Sequence, residues 1–320
     1  MADPGKLLKP MTRRILAVRA EIGEAWPTGA WTVSDKLGWT AGYWIEMLRL
    51  AGERTGKWEL YEDGAARMTR LSVLLHRHDF HNAPAFYYGA ARLYETLSDR
   101  ASRTAALSAA YSVRAMADPA RGAIFTGRNS ARIDVPVEAA HHGLLLDWWA
   151  LRETGDTVFL DGAERMLDLL IEDFIDGREH IPAALSYDRR SGVLIDEVKS
   201  PGAAASAHAL CGLLRGWEVT REARFVDAAN RVLDRWVGEP SDIPADAMVC
   251  EALARLAVLD PPPKEARPFV DRLEATLDGL AEQLMPAFAV DARAGAQAPI
   301  AALYHFYAGL HCLDAGGLPC

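Results

Sequence analysis

The sequence predicts an all-α protein, an (α/α)6 barrel of six helical hairpins, forming a single domain over residues 1–320. Three observations carry that expectation. Apolar residues recur at helical spacing along most of the 320-residue chain, as in Leu8, Met11, Ile15, Val18 and Ile22. The connections between helices alternate between very short and long. The short turns repeat one design: Arg54-Thr55-Gly56-Lys57…Tyr61, Glu153-Thr154-Gly155-Asp156…Phe159 and Val219-Thr220-Arg221-Glu222…Phe225. Hairpins of this kind cannot bury their apolar faces alone and must stack. Twelve helices in six hairpins can close as a double ring, with an open solenoid as the rival. No polar capping repeat stands out at either end, which favours closure.

The elements follow in order. Leu7–Ile22 is the first helix and, in a closed ring, the outer partner of the last. Pro27 to Asp35 is loop. Thr40–Arg54 ends at Thr55-Gly56, where glycine supplies a left-handed cap, and Glu59–Arg77 follows at once. Ala83–Ser98 and Arg103–Ala117 make the next pair, stopped by Asp118-Pro119. Asp134–Glu153 reads as a long apolar helix closed by Thr154-Gly155, with Thr157–Ile175 as its partner. Residues 177–200 read as loop with a short hairpin around Tyr187-Asp188 and Ser191-Gly192-Val193. Ala203–Val219 pairs with Ala223–Val237. Asp246–Val258 precedes the Pro261-Pro262-Pro263 break, and Ala266–Leu284 and Ala298–Leu313 finish the chain.

Composition narrows the function. Half the residues are hydrophobic, a quarter are charged and the net charge is -9. A chain with that excess of negative charge repels phosphate backbones, so nucleic acid is not an expected partner. Residues 1–25 carry five basic side chains without an apolar core, and no later run is long enough to cross a bilayer, so no membrane partner is expected. The four cysteines, Cys211, Cys250, Cys312 and Cys320, form no CxxC pair. They read as reduced thiols of a cytoplasmic protein.

Two aspartates stand out. Asp79, in His76-Arg77-His78-Asp79-Phe80-His81, and Asp134, in Arg132-Ile133-Asp134, each sit just ahead of, or at the start of, a long apolar helix. In a ring, both fall on the face that carries the long loops, with Trp39, Tyr187 and His208. Paired carboxylates in one cleft repel, so one keeps its proton to higher pH. A helix N-terminus stabilises the anion of the other. Acid and base can thus come from the same residue type. The plain alternative is that both are N-caps. Glu138 and His141, one and two turns after Asp134, share its helix face; Glu138 reads equally as an ion-pair partner of Arg132 or Arg128. The His76, His78, Asp79, His81 cluster lacks a specific ligand spacing, so no metal is expected there. Trp31, Trp39, Tyr43, Trp44, Phe86, Tyr87 and Tyr88 offer rings on which sugar C–H faces stack, or serve as core.

Several of these motifs, taken in order, resemble the unsaturated glucuronyl hydrolases and the related unsaturated rhamnogalacturonyl hydrolases, glycoside hydrolase families 88 and 105. The segment Trp39-Thr40-Ala41-Gly42-Tyr43-Trp44 with Arg54-Thr55-Gly56 resembles their opening motif. His78-Asp79 and Ile133-Asp134 resemble their two aspartate motifs, Tyr187-Asp188…Ser191-Gly192 their central loop, and Tyr304-His305-Phe306-Tyr307 their closing helix. The resemblance implies an (α/α)6 barrel without a cofactor. It also implies hydration of the 4,5 double bond of an unsaturated uronic acid at the non-reducing end of an oligosaccharide. Asp134 maps to the acid/base that protonates the vinyl ether and activates water, and Asp79 to its partner. The hydrated product, a hemiketal, opens and releases the remaining sugar.

This chain departs from that pattern in two places. Where the family carries Arg-Gly-Gln-Ala-Trp, the sequence reads Ala204-Ala205-Ser206-Ala207-His208. The position one turn after the acid, an asparagine in the family, is Glu138. Loss of the arginine removes a bidentate grip on a carboxylate, so either another base such as Arg132 holds the uronate or the substrate is not the usual one. A carboxylate at Glu138 is expected to raise the pKa of Asp134 if both face the cavity. The expected site is Asp134 and Asp79 as catalytic carboxylates, with Trp39, Tyr43, His78, Arg132, Glu138, His141 and His208 around an oligosaccharide, and no metal or cofactor. The competing reading is a carbohydrate-binding or scaffolding barrel with altered chemistry, or a hydrolase of another sugar.

Overall fold

A computed structural model of the chain describes residues 3–28, 31–119, 121–126, 131–200, 202–238, 242–259, 264–289 and 298–315. Arg128, the Pro261-Pro262-Pro263 break and Cys320 lie outside the described residues. All twelve expected helical segments are present, but one of them begins later than the sequence suggests. Contacts divide the chain into two compact units. One comprises Met1–Ser72, Tyr88–Ser102 and Ile243–Cys320; the other comprises Val73–Tyr87 and Arg103–Asp242.

Within the first unit, helices of two kinds alternate. Ala41–Thr55 is buried on every side from Ala41 to Gly52, and Ile300–Asp314 is buried from Ala302 to Cys312. Trp58–Leu71 buries one stripe only: Leu60, Gly64, Arg67, Met68 and Leu71. A helix apolar all round is an inner one, and a striped helix faces water on its far side. Pro4–Ile22 packs against Ile300–Asp314, as expected for the first and last helices, and Thr12 Oγ1 lies 2.9 Å from the Tyr307 hydroxyl. Glu46, Arg49 and Arg92 form a buried ion-pair group, in which Arg49 grips both oxygens of Glu46 at 2.7 and 2.9 Å. Pairing of this kind is what allows charge into a core.

The second unit repeats the scheme. Ala204–Thr220 is buried over most of its length, whereas Thr157–Leu169 buries Phe159, Gly162, Ala163, Met166 and Leu167. The three Thr turns share one geometry. Thr55, Thr154 and Thr220 each donate a hydroxyl to the carbonyl four residues back, at 2.7, 2.7 and 2.9 Å. The next residue, Gly56, Gly155 or Arg221, adopts a left-handed conformation and donates its N–H to the helix end. Gly52 and Gly216 leave room for Tyr61 and Phe225 to pack back on their own hairpins.

Three expectations are corrected. The helix expected from Asp134 begins only at Leu145. Arg132–Pro136 is instead a β-strand, followed by the 3-10 turns Val137–Ala140 and His142–Leu144. Val135 and Val137 are β-branched and Pro136 carries no N–H, so this run favours extended backbone. It pairs antiparallel with Pro182–Asp188, which pairs in turn with Leu194–Lys199, so the short hairpin expected in 177–200 becomes part of a three-stranded sheet. Second, Ala83–Ser98 is interrupted by a π-turn over Tyr87–Ala91. Third, Cys211 and Cys250 are buried free thiols, but Cys312 is disulfide-bonded, so the four cysteines are not all reduced. Among the described residues no helix is long and apolar enough to cross a membrane.

Candidate functional site

The titratable groups of interest gather in the second unit, at the ends of short elements. Asp79 lies in the loop before the helix Asn82–Phe86. Its Oδ1 accepts two hydrogen bonds from His81, from the backbone N–H at 3.0 Å and from ring Nδ1 at 2.7 Å. This is an Asx turn, which aspartate forms readily ahead of a helix. Phe80 stacks on the His81 ring at 4.1 Å between centroids and fixes its plane. The other ring nitrogen, Nε2, lies 3.2 Å from Glu138 Oε1. Glu138 sits on the 3-10 turn that leaves the sheet, and its Oε1 also takes a hydrogen bond from His142 Nδ1 at 2.8 Å. The result is a continuous line: Asp79, His81, Glu138, His142.

The electrostatics of the line are set by this alternation. The hydrogen bond from the His81 ring holds the Asp79 carboxyl below its ordinary value, against partial burial. Burial alone would lower the His81 pKa, but hydrogen bonds to Asp79 and Glu138 more than reverse it and raise it to about 9. Burial likewise opposes ionisation of Glu138, and hydrogen bonds from His142 and His81 outweigh it, leaving the carboxyl well below the usual carboxylate range. At neutral pH the line is therefore anion, cation, anion. Its acid is His81, and its solvent-facing end is Asp79, whose side chain is 45% exposed.

Asp134 has different company. Arg132 and Asp134 are two residues apart on one strand and so point to the same face. Asp134 pairs in register with Ser186 on the next strand, and Ser186 with Asp196 on the third. Asp134 Oδ1 accepts from Arg132 Nε at 2.5 Å and from Ser186 Oγ at 2.6 Å, and Arg132 Nη2 donates to Ser186 Oγ at 2.6 Å. Burial would raise the Asp134 carboxyl, but the bonds from Ser186 and Arg132 prevail and lower it. The rise expected from Glu138 does not occur, because Glu138 is engaged by histidines. Arg132 reaches Asp134 and Asp196, not Glu138. Asp79 and Asp134 share no hydrogen bond or ion pair.

The remaining expected residues divide. His141 and His208 meet, Nδ1 to Nδ1, at 3.3 Å. His78 and His76 are exposed, so the cluster suggested by their spacing reduces to the contact of Asp79 with His81. In the first unit Trp39 packs edge-on against Tyr43 at 5.6 Å. Tyr43 is only 1% exposed and stacks on Tyr304 at 4.8 Å, with Tyr88 and His305 around it, which makes it a core residue. His142, Ser186 and the bridging role of His81 were not foreseen. The local signals were an Asp-x-His step at 79–81 and a Glu-x-x-x-His step at 138–142, both spacings that bring polar side chains together over a turn.

No protein-family model and no curated protein sequence matches the chain. Solved structures do. The unsaturated glucuronyl hydrolase of Bacillus sp. GL1, described as responsible for the degradation of glycosaminoglycan, aligns with a TM-score of 0.78 at 17% identity, covering 96% of this chain and 95% of that one. An unsaturated glucuronyl hydrolase specific for heparin aligns at 0.81 and 16% identity, covering 98% and 97%. The enzyme from Streptococcus agalactiae aligns at 0.82 and 14% identity, covering 97% and 91%. Likeness at this level, over nearly the full length, shows the fold: the chain has the all-α (α/α)6 barrel fold of these proteins, as its sequence leads one to expect.

Proposed function

We propose that this chain is a glycoside hydrolase acting on oligosaccharides that end in a 4,5-unsaturated uronic acid, by hydration of the double bond. The observation that carries the reading is the full-length likeness to unsaturated glucuronyl hydrolases. One neighbour is described with dGlcA-Glc-Rha-Glc, and an aspartate-to-asparagine variant of the Streptococcus agalactiae enzyme with dGlcA-GalNAc6S. A carboxylate–imidazole–carboxylate line in this chain supports the same chemistry.

Hydration adds a proton to C4 and a hydroxyl to C5 of the sugar. The C5 hemiketal then opens by cleavage of the C5–O5 bond to a C5 ketone, leaving O5 as a hydroxyl on C1. This C1 hemiacetal collapses to an aldehyde as the glycosidic C1–O bond breaks and the remaining saccharide departs as an alcohol. The protein must deliver one proton and accept one from water. Asp79 is the exposed carboxylate of the line, and His81 is a protonated donor 2.7 Å from it. A proton passed from His81 lets Asp79 act as acid towards C4. Once spent, Asp79 is again a carboxylate that takes the proton of the attacking water and returns it to His81. Glu138 keeps His81 charged between turnovers. Asp134, paired with Arg132, is the second carboxylate, and its acid/base role by resemblance stands beside that of Asp79 as the alternative to be separated by mutation.

A non-catalytic reading also has an observation in its favour: Ala204–His208 lacks the arginine, glutamine and tryptophan of the related motif. A panel of unsaturated disaccharides, followed by loss of their ultraviolet absorbance and separately by calorimetry, decides. Turnover that is lost in Asp79→Asn or Asp134→Asn supports the hydrolase; binding without turnover across the panel supports the binding protein.

A further inference from the structure

His141, His142 and His208 are not used in that proton path. We infer that they form a binding site for a divalent transition-metal ion of the zinc class, with one coordination position left for water or a ligand. This site borders the proton path through Glu138, which faces both His81 and His142, but it plays no part in the saccharide chemistry proposed above and departs from the metal-free site expected from sequence.

One nitrogen from each of the three rings lies within 4.8 Å of the others. The Nδ1 atoms of His141 and His208 are 3.3 Å apart. Two imidazole nitrogens bound to a tetrahedral zinc at about 2.0–2.1 Å are separated by about 3.3–3.4 Å, the edge of that tetrahedron. The same distance is long for a hydrogen bond between two rings. His142 has a carboxylate behind one of its ring nitrogens. Its Nδ1 is 2.8 Å from Glu138 Oε1. A carboxylate there fixes Nδ1 as the N–H and leaves the lone pair on Nε2, the carboxylate–histidine arrangement that commonly backs metal-bound imidazoles.

The framework is suited to the task. His141 and His142 are 7% and 2% exposed, at the junction of two 3-10 turns, whereas His208 is half-buried on the first turns of Ala204–Thr220. Two of the ligands are therefore buried and the third is partly exposed to solvent. Gly212, one turn beyond His208, is so close to the Ala140 carbonyl that an added Cβ would come within 2.4 Å of it. That approach brings the helix carrying His208 up to the segment carrying the other two rings. An all-imidazole set suits zinc, copper or nickel, and not magnesium or calcium, which take oxygen ligands.

The test is metal binding by the full chain after chelation and desalting. Calorimetry is expected to show one equivalent of zinc retained, with no heat from magnesium. Cobalt(II) should give the visible bands of a four-coordinate ion, and zinc should raise the melting temperature. X-ray absorption of the zinc-loaded wild-type protein should find about three imidazoles at about 2.0 Å, a readout that needs no variant. His141→Gln and His208→Gln should each weaken binding by more than about 100-fold, and Glu138→Gln, acting through His142, by about 10–100-fold. His180→Gln, at an exposed histidine, should leave affinity unchanged. Failure to retain zinc, fewer than two imidazoles at the metal, or equal affinity in the wild type and in His141→Gln and His208→Gln would overturn the assignment, the last result marking an adventitious ion only. None of these measurements uses saccharide turnover, so the site and the hydrolase reading fail separately.

Discussion

Asp79 Oδ1 receives both the backbone N–H and the ring Nδ1 of His81, at 3.0 and 2.7 Å. A single oxygen thus holds the imidazole in one orientation and directs its far nitrogen at Glu138, 3.2 Å away. The second oxygen of Asp79 takes no part in the contact. In a side chain 45% exposed, that oxygen is available to a substrate or a water. An acid/base carboxylate needs this combination: a fixed proton partner on one side and access on the other.

If Asp79 handles the proton, Asp79→Asn should lower turnover of an unsaturated disaccharide by about 10²–10⁴-fold, the usual range for a positioned acid/base. Asparagine preserves the shape and can still accept from the His81 backbone, so the far-ultraviolet spectrum and the melting curve should change little. Assaying Asp134→Asn in parallel apportions the work. A deeper loss in Asp134→Asn than in Asp79→Asn would move the acid/base role to the sheet.

His81 should govern the alkaline limb of both stability and turnover. Its neighbours are Asp79 and Glu138, with His142 behind Glu138, and against burial the two carboxylates raise its pKa from 6.5 to about 9. A group whose pKa is raised on folding lends stability that is complete below its unfolded value and disappears as pH rises through the folded one. Unfolding free energy should therefore fall between about pH 6.5 and 9 by roughly 2 kcal/mol, a figure discounted for partial exposure. Denaturant melts across that window, repeated on His81→Gln, check this: the variant should lack the slope. Turnover should hold across neutral pH and decline only as pH rises through about 9, where His81 in the folded protein loses its proton. Asp79 has the opposite sign, since its lowered pKa gives stability present at neutral pH and lost on acidification.

Much of this fold was legible because its signals are local. The Thr-Gly turns are read from three residues, and the structure gives all three the same hydroxyl bond and left-handed cap, even where Arg221 replaces glycine. The strand Arg132–Pro136 was not legible. Its apolar run is continuous with the helix that follows, and only pairing with Pro182–Asp188 makes it a strand. Such pairing is tertiary, and it selects the extended backbone that Val135, Pro136 and Val137 already favour. The same holds for the site. Asp79, Glu138, His141 and His208 were singled out by type and position. That His81 joins Asp79 to Glu138, and that Ser186 engages Asp134, depends on segments distant in sequence. Tyr43 illustrates the converse, since spacing cannot distinguish a ring that faces a ligand from one that fills a core.

Ser186→Ala tests the sheet side of the site. The Ser186 hydroxyl is buried, donates to Asp134 and accepts from Arg132. Removing it leaves the charged pair in place without its bridge, at a cost of about 1–2 kcal/mol. It should also move the Asp134 carboxyl back towards its ordinary value, because Ser186 is the chief hydrogen bond lowering it. A carboxyl-carbon chemical-shift titration of Asp134 in the two proteins reads this directly, and identical midpoints would mean that Arg132 alone sets the charge.

Gly212→Ala tests how far the site depends on one close approach. The added methyl would meet the Ala140 carbonyl at 2.4 Å and its carbon at 2.9 Å, both backbone atoms that cannot swing aside. Either Ala204–Thr220 or the turn Val137–Ala140 must shift. Overpacking of this kind costs about 1–3 kcal/mol, set against a gain of roughly 0.5–1 kcal/mol from replacing glycine by alanine in a helix. A net loss of about 1–2 kcal/mol is expected. Because the turn carries Glu138 and the helix carries His208, the shift should also separate His141 from His208 and loosen Glu138 from His81. The variant should accordingly lose turnover at temperatures where it is still fully folded. A Gly212→Ala protein that melts earlier yet turns over normally below its transition would show that the turn yields without disturbing the histidine line.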